Sequence, residues 1–394
     1  MTNLLEDKTI LLGVTGSIAA YKAVDLASKL MQAGAQVDTI LTENAAQFVT
    51  PLTFRSITHR PVITNLFDLD SEDAIEHVAL SQRADILVVA PASAHTLAKL
   101  ALGLADNALT AVALATSAPL LVIPAMDANM WEHPTVQEHI ATIQSRGGYV
   151  AGPAAGRLAS GLIGRGRMLE PSAIVGHIRW ILGQNGDLKG RKIVVSAGGT
   201  QEPIDPVRVI TNHSSGKMGF AIAEAARDRG AIVVLVTAPT NLEMLIGVTT
   251  NRVTTVEEMR AAVLESCAHA DALVMAAAVS DYRTNQVADQ KIKKHESEDL
   301  VSLQMVKTPD FFSEVPSGVL RVGFAAETEN LIENAKSKID SKNLSLIVAN
   351  DVTKEGSGFG TDTNQVALID KSGSAEELPL LSKYEVGYRI LDRI

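Results

Sequence analysis

The chain has 394 residues, room for two or three domains of ~100–200 residues each, and its 46% apolar and 20% charged residues make an ordinary globular composition. A formal net charge of −10 argues against broad binding to nucleic acid or anionic membrane, which needs a surplus of Lys and Arg, while a local basic pocket for a small phosphorylated ligand stays compatible with it. The single cysteine, Cys267, excludes an internal disulfide and fits a reducing, cytoplasmic setting. The opening MTNLLEDKTILLGV mixes acidic residues and Lys8 with a short apolar run, unlike a signal peptide. Between Ile86 and Met126 the apolar sequence is broken by Pro91, Lys99, Asp106 and Pro119, so no membrane span of ~20 residues is predicted.

In chain order, KTILLGVTGSIAAYKAVDLASKLMQAGAQVDTILT reads as strand, glycine turn, helix, Gly-Ala and strand. A histidine-bearing apolar segment, IEHVALS, precedes the Ala-Asp pair and apolar run of ADILVVAPASA. IPAMDANMW and the glycine-punctuated LASGLIGRGRM follow. The stretch LGQNGDLKGRK, with Gly183, Asn185, Gly186 and Gly190, reads as a junction. Beyond it the order returns: RKIVVSAGGT, an insertion, GKMGFAIAEAARDRGAIVVLVT, then ADALVMAAAV. Fully apolar strands separated by amphipathic helices predict two tandem, Rossmann-like, doubly wound α/β domains with parallel sheets. In such sheets ligands sit at the carboxyl ends of the strands, here the turns after Val14, Leu41, Val89, Ile123, Val195, Val236 and Met275.

Two phosphate-loop templates fail. TNHSSGKMGF carries Gly216-Lys217, but Thr211 and Met218 stand where a P-loop needs glycine and a magnesium-binding hydroxyl. The first turns, GVTGSIAA and SAGGTQEP, both lack the G-x-G-x-x-G dinucleotide pattern, which weakens a nicotinamide reading. Glycine turns opening helices still aim backbone N–H groups at an anion.

GVTGSIAAYK, LTENA, IEHVALSQRAD, APASAHTLAK, IPAMDANMWEHP and LASGLIGRGRM together resemble the flavin-dependent cysteine decarboxylases. GGTQEPIDPVRVITNHSSGKMG, AAAVSDYR, KIKK, VGFAAET and ANDV resemble phosphopantothenate–cysteine ligase. In this order, and over nearly the whole chain, they match the bifunctional coenzyme A biosynthesis flavoproteins of bacteria. The resemblance implies an FMN-dependent decarboxylase domain over residues 1–187 and a CTP-dependent ligase domain over 188–394. It implies ligation of 4′-phosphopantothenate to cysteine through an acyl-cytidylate, then decarboxylation to 4′-phosphopantetheine. Homo-oligomers are implied as well, with trimeric decarboxylase and dimeric ligase contacts.

For the first half, the resemblance puts FMN against Gly16, Ser17, Thr42, Ala92, Ser93, Ala94, His95, Ala125 and Met126. His77 matches the family's catalytic histidine, and titration near neutrality suits proton movement at a thiol. Asp127, Asn129 and Met130 fall in the substrate-gripping loop. Many relatives have Asn where this chain has Asp127, and a carboxylate facing a substrate carboxylate repels it unless protonated or paired. Either Asp127 contacts the substrate amide N–H or Asn129 takes part of the work. Ser160 stands where several relatives have a proton-donating cysteine; a hydroxyl is a far weaker acid, which fits orienting a water or the intermediate. These departures leave open an alternative in which the first half binds flavin with weak or altered decarboxylase activity. Cys267, in ESCAHADALV, reads as core.

For the second half, Lys291 of KIKK matches the family's essential lysine, and Lys338 and Lys342, spaced i,i+4, match nucleotide-binding lysines. Ala278, Pro309, Asp310 and Phe324 are expected around the nucleotide, with Phe324 flanking the base. Asp281 is assigned either to magnesium or to the cytidine ribose. Asn212 is expected to govern attack on the acyl-cytidylate, Ser214, Ser215 and Gly216 to form the anion site for phosphopantothenate, and Arg208 to partner a phosphate. Lys217 is a phosphate ligand or a solvent contact, and Thr308 stands where relatives often have Asn.

Overall fold

A computed structural model describes residues 3–65, 76–293, 302–327, 339, 342–351, 358 and 360–394. Contacts divide the chain into two compact units, Met1–Leu182 and Gly183–Ile394. Among the described residues no helix is long and apolar enough to cross a membrane.

In the first unit, β1 (Thr9–Val14), β2 (Gln36–Leu41), β3 (Val62–Ile63), β4 (Ile86–Ala92), β5 (Leu120–Pro124) and β6 (Tyr149–Val150) form one sheet in the order β3-β2-β1-β4-β5-β6. Every pairing is parallel. The reversal of direction lies at β1, between β2 and β4. Ile10, Leu11, Leu12 and Val14 are wholly buried, and burying such a side chain stabilises by about 1.5–3 kcal/mol. The helix Ala20–Gln32 adds Ala23, Leu26, Ala27 and Leu30, an i, i+3, i+4, i+7 stripe, to the core of Ile10, Leu12 and Val14. β4 runs past the expected turn after Val89 to Ala92, with a register shift against β5 between those two residues. A hairpin, β7 (Ala154–Arg157) with β8 (Ile163–Arg167), stands outside the main sheet.

In the second unit, β9 (Lys192–Ala197) is followed by the small antiparallel pair β10 (Glu202–Pro203) and β11 (Val209–Ile210). Then come β12 (Ile232–Thr237), β13 (Thr249–Arg252) and β14 (Ala272–Met275). A second small pair, β15 (Tyr282–Thr284) with β16 (Met305–Lys307), precedes β17 (Leu320–Glu327), β18 (Leu346–Asp351), β19 (Thr363–Asn364), β20 (Val366–Asp370) and β21 (Ala375–Glu377). The large sheet has the order β13-β12-β9-β14-β17-β18-β20-β21. Its centre repeats the first unit, with β9 between β12 and β14 and all pairings parallel out to β18.

The expectation of a parallel second sheet needs a correction at one edge. β20 pairs antiparallel with β18, and β21 antiparallel with β20. The four residues from Lys371 to Ser374 close the β20–β21 turn, with Asp370 Oδ1 accepting from Ser372 and Ser374 N–H. So short a link cannot carry the crossover that parallel neighbours require.

The helix Lys217–Asp228 lies hard against β9. A Cβ on Gly219 would come within 2.6 Å of the Ala197 Cβ and 2.7 Å of the Ser196 carbonyl oxygen. Backbone on a central strand cannot yield, so Gly219→Ala is expected to destabilise the second unit by about 1–3 kcal/mol despite the better helix propensity of alanine. Thermal melts of wild type and variant check this; an unchanged or higher midpoint would contradict it.

Candidate active sites

In the first unit the turns after β1, β4 and β5 are tied to one another. Thr15 Oγ1 donates to the Pro91 carbonyl (2.8 Å) and accepts from Ser93 N–H (3.0 Å). Ser93 in turn caps the helix Ala94–Leu102, accepting from Thr96 N–H. Met126 N–H donates to the Gly166 carbonyl (3.0 Å), bringing the β7–β8 hairpin onto the loop after β5. Only glycine permits that approach, since a Cβ on Gly166 would lie 2.2 Å from the Met126 oxygen.

These turns enclose a cavity of about 450 Å³, lined among others by Gly16, Ser17, Ser93, Ala94, Ala125, Met126, Asp127, Met130 and Ser160. Three expected cofactor residues stay out of the lining. Thr42 instead caps the helix Glu43–Ala46, accepting from Ala45 N–H, and Ala92 is fully buried. His95 is exposed on the first turn of the helix Ala94–Leu102. Asn129 is exposed as well, and its N–H donates to Asp127 Oδ1 at 3.1 Å. His77 falls in the helix Glu76–Arg83, with its side chain outside the described residues.

Sequence reasoning missed the cations of this cavity: Lys22, Arg157 and Arg167. Lys22 is buried and paired with Glu170 at 2.8 Å, a contact that lowers the Glu170 pKa. The available signal was position: Lys22 follows the GSIAAY turn on the amphipathic helix.

The two departures from the family pattern meet in space. Ser160 Oγ donates to Asp127 Oδ2 at 2.6 Å, joining the hairpin tip to the loop after β5. That hydrogen bond, followed by the one from Asn129 N–H, holds the Asp127 carboxyl below its ordinary pKa. Asp127 is therefore ionised at neutral pH, and the Ser160 proton is committed to it.

In the second unit, Ala278, Asp281, Pro309, Asp310, Phe324 and Lys342 line one cavity of about 580 Å³. They come from the loop after β14, the segment after β16, β17 and the segment before β18. Thr308 explains its own departure: its hydroxyl donates to the Ser280 carbonyl (2.6 Å) and its N–H to the Asp281 carbonyl (2.9 Å), joining two cavity walls. Lys342 pairs with Asp310 at 2.8 Å and lies 5.5 Å from the centre of the Phe312 ring. Burial alone would raise the Asp310 pKa, but the Lys342 ammonium and Phe312 N–H outweigh it and leave it lowered. Lys307 also lines this cavity and was missed.

A smaller cavity, about 160 Å³, adjoins it through Ala277, Ala278 and Phe324 and is lined by Ser214, Ser215, Gly216 and Lys217. Asn212 braces the loops: its Nδ2 donates to the Ala278 carbonyl (2.6 Å) and its Oδ1 accepts from Ser214 N–H (3.0 Å). Arg208 turns onto buried Asp205, with Nε at 2.9 Å, and its Nη2 donates to the Ile292 carbonyl at 2.9 Å. Asp205 also accepts from Ile292 N–H at 3.1 Å, and these contacts hold its pKa well below the usual carboxylate range. Arg208 thus clamps the loop that carries Lys291. Lys291 itself is exposed and lines neither cavity, and Lys338 lies outside the described residues. Cys267 is wholly buried, and burial pushes its thiol up to about 11, so it is an inert core residue as expected.

Comparison with known proteins places both halves. Residues 2–182 match the family described as Flavoprotein, and residues 188–394 match the DNA/pantothenate metabolism flavoprotein C-terminal domain. The coenzyme A biosynthesis bifunctional protein CoaBC of Vibrio parahaemolyticus is 43% identical over 99% of this chain and 98% of its own. That of Bacillus subtilis is 41% identical over 99% and 97%. A crystal structure of the C-terminal domain of a CoaBC protein is 40% identical, covers 52% of this chain and 94% of its own, and has a TM-score of 0.44. With both family models matched in order and the likeness running from end to end, the chain belongs to the family of coenzyme A biosynthesis bifunctional proteins CoaBC, enzymes that join a flavoprotein decarboxylase half to a ligase half.

Proposed function

We propose that residues 1–187 decarboxylate phosphopantothenoylcysteine with FMN in the 450 Å³ cavity, and that residues 188–394 form its substrate from 4′-phosphopantothenate, cysteine and CTP. The observation that carries the ligase reading is convergence: Ala278, Asp281, Pro309, Asp310, Phe324 and Lys342, distant in sequence, line one cavity.

The donor set of the first cavity suits a phosphorylated flavin. Its volume lies within the ~300–1,000 Å³ of small-molecule sites, and it combines Ser17 and Ser93 with the cations Lys22, Arg157 and Arg167. Flavin bound there supplies the reversible two-electron chemistry that removing a carboxylate from an amide-held cysteine requires. The chain's own groups do the rest. Met126 and Met130 offer apolar contact, the Asp127–Ser160 bond holds the hairpin tip over the cavity, and His77 moves the thiol proton. Ile18 (58% exposed) and Tyr21 (62% exposed) line the cavity yet face solvent, which supports homo-oligomers in which a second copy covers the site. Trimeric contacts for this half and dimeric contacts for the ligase complete that proposal. A cytoplasmic location fits the chemistry of the substrates.

In the second half the carboxylate of the acid attacks the α-phosphorus of CTP, pyrophosphate leaves, and the amine of cysteine then displaces CMP. Negative charge grows on phosphoryl oxygens, so fixed cations lower the barrier. Lys342 and Lys307 stand at the cavity, and Lys291, exposed on the loop that Arg208 and Asp205 anchor, is the further cation assigned to the triphosphate. Among the described residues no group of three or more His, Cys, Asp or Glu side chains is placed to hold a metal ion. Asp281, at this cavity, would hold either magnesium brought with the nucleotide phosphates or the cytidine ribose.

Lys291→Ala is expected to lower ligation at least ~100-fold while leaving bound flavin, read by CTP-dependent product formation beside the flavin absorbance; unaffected ligation would remove Lys291 from the mechanism. His77→Ala should cut CO2 release from phosphopantothenoylcysteine by about 10²–10⁴-fold with ligation intact, and normal release would refute that role. Ser160→Ala should cost decarboxylation less than about tenfold, since loss of an essential acid removes 10²–10⁴-fold. A larger loss would make Ser160 the proton donor. Because Asp127 has a lowered folded pKa, its tie to Ser160 is complete above the ordinary carboxylate value of about 3.9 and is lost as pH falls through the lower folded value. Decarboxylation by wild type and Ser160→Ala should therefore keep a constant ratio from about pH 8 down to about pH 5; a ratio that drifts across that window would contradict the pairing.

A further inference from the structure

The smaller cavity of the ligase half has a wall that the sequence reading did not reach, the start of the last helix, Lys383–Leu391. This helix packs alongside Lys217–Asp228, running the same way. At one end Lys383 N–H donates to the Asp362 carbonyl (3.0 Å) while Lys217 Nζ binds Asp362 Oδ1 (2.7 Å) and the Gly360 carbonyl (2.7 Å). At the other end Arg229 reaches Asp392 (2.8 Å) and the Tyr388 carbonyl (3.0 Å). Two lysines therefore open two parallel helices beside one cavity.

Lys383 is only 6% exposed. Its ammonium donates to the carbonyls of Gly358 (3.2 Å) and Thr361, groups that carry partial negative charge and no formal counter-charge. The acidic neighbour here, Asp362, has a side chain 89% exposed and is already paired with Lys217. Burial first, and the nearby Lys217 charge second, lower the Lys383 pKa, and the Asp362 carboxylate offsets them only in part. A buried ammonium facing a second cation is costly unless an anion joins them. The cavity, about 160 Å³, has room for several water molecules and so for a phosphoryl group, and Ser214 and Ser215 also line it.

We propose that Lys383, acting with Lys217, binds a phosphate oxyanion of a ligase substrate in this cavity, so that the C-terminal helix is part of the binding site. The inference rests on the ligase reading above. The oxyanion comes from one of two sources, the 4′-phosphate of the acid or the polyphosphate of the nucleotide.

The test is initial-rate ligation by the full chain with Lys383→Gln and Lys383→Arg, varying 4′-phosphopantothenate and CTP separately. Loss of a charge-assisted contact predicts that Lys383→Gln raises KM for one of them about 10–100-fold with kcat changed far less, and that Lys383→Arg recovers much of it. A rise confined to 4′-phosphopantothenate assigns the 4′-phosphate, and one confined to CTP assigns the polyphosphate. A fall in kcat with neither KM altered, or equal damage from Arg and Gln, would overturn the proposal and leave Lys383 a structural tie to the Gly358 and Thr361 carbonyls. Should Lys383→Gln fail to fold by thermal melt, Lys217→Gln carries the same KM test, and an unchanged KM for both substrates overturns the proposal there too. Lys342→Ala serves as the control for the underlying reading. If it leaves ligation intact, the ligase site itself is misplaced; if it impairs ligation while Lys383→Gln does not, only the present inference fails.

Discussion

Parallel pairing around one central strand is the constraint on which both sites depend. β1 runs parallel between β2 and β4, and β9 repeats the arrangement between β12 and β14. Parallel neighbours deliver their carboxyl ends, and the loops that follow, to the same edge. Gly16, Ser93 and Asp127 meet at one cavity for this reason, as Ser215 and Ala278 do at another. The central strands are largely apolar and buried, and most of the cavity lining comes from the loops that follow them. Their contribution is to make the loops converge, held by bonds such as Thr15 to Pro91 and Asn212 to Ala278.

Much of this was legible in the sequence because strand and helix periods repeat in the two halves, and because glycine turns mark the strand ends. The antiparallel edge of the second sheet was less so. A short apolar strand such as Val366–Asp370 has no period that distinguishes parallel from antiparallel neighbours, and only the brevity of the turn after it tells. Site residues divide in the same way. Those on loops directly after strands, Ser17, Met126, Asp281 and Pro309, line the two cavities. Cations one or two helical turns on, or on elements far along the chain, such as Lys22 and Lys383, were invisible, since a lone lysine has no spacing signal until packing brings it in. Thr42 and Arg208 show the converse: side chains fit for a ligand are taken up by a helix cap and by Asp205.

Departures from a family pattern were hardest to interpret one at a time. Asp127 alone suggests repulsion of a carboxylate, and Ser160 alone a missing acid. Together they form a hydrogen bond across the cavity mouth, each supplying what the other lacks, an acceptor and a donor. Thr308 likewise stands where relatives often have Asn, and its hydroxyl fastens the segment after β16 to the Ser280 carbonyl. Substitutions that meet in space are read as pairs, and sequence order hides which ones meet.

The central claim is that one chain carries out both reactions in succession, each in its own strand-end cavity. Mass spectrometry of the products formed from 4′-phosphopantothenate, cysteine and CTP by the flavin-loaded protein tests it most directly. The account predicts a CTP-dependent cysteine adduct that is converted to its decarboxylated product, 4′-phosphopantetheine. Recovery of unchanged 4′-phosphopantothenate, or an adduct that accumulates without losing CO2, would contradict it.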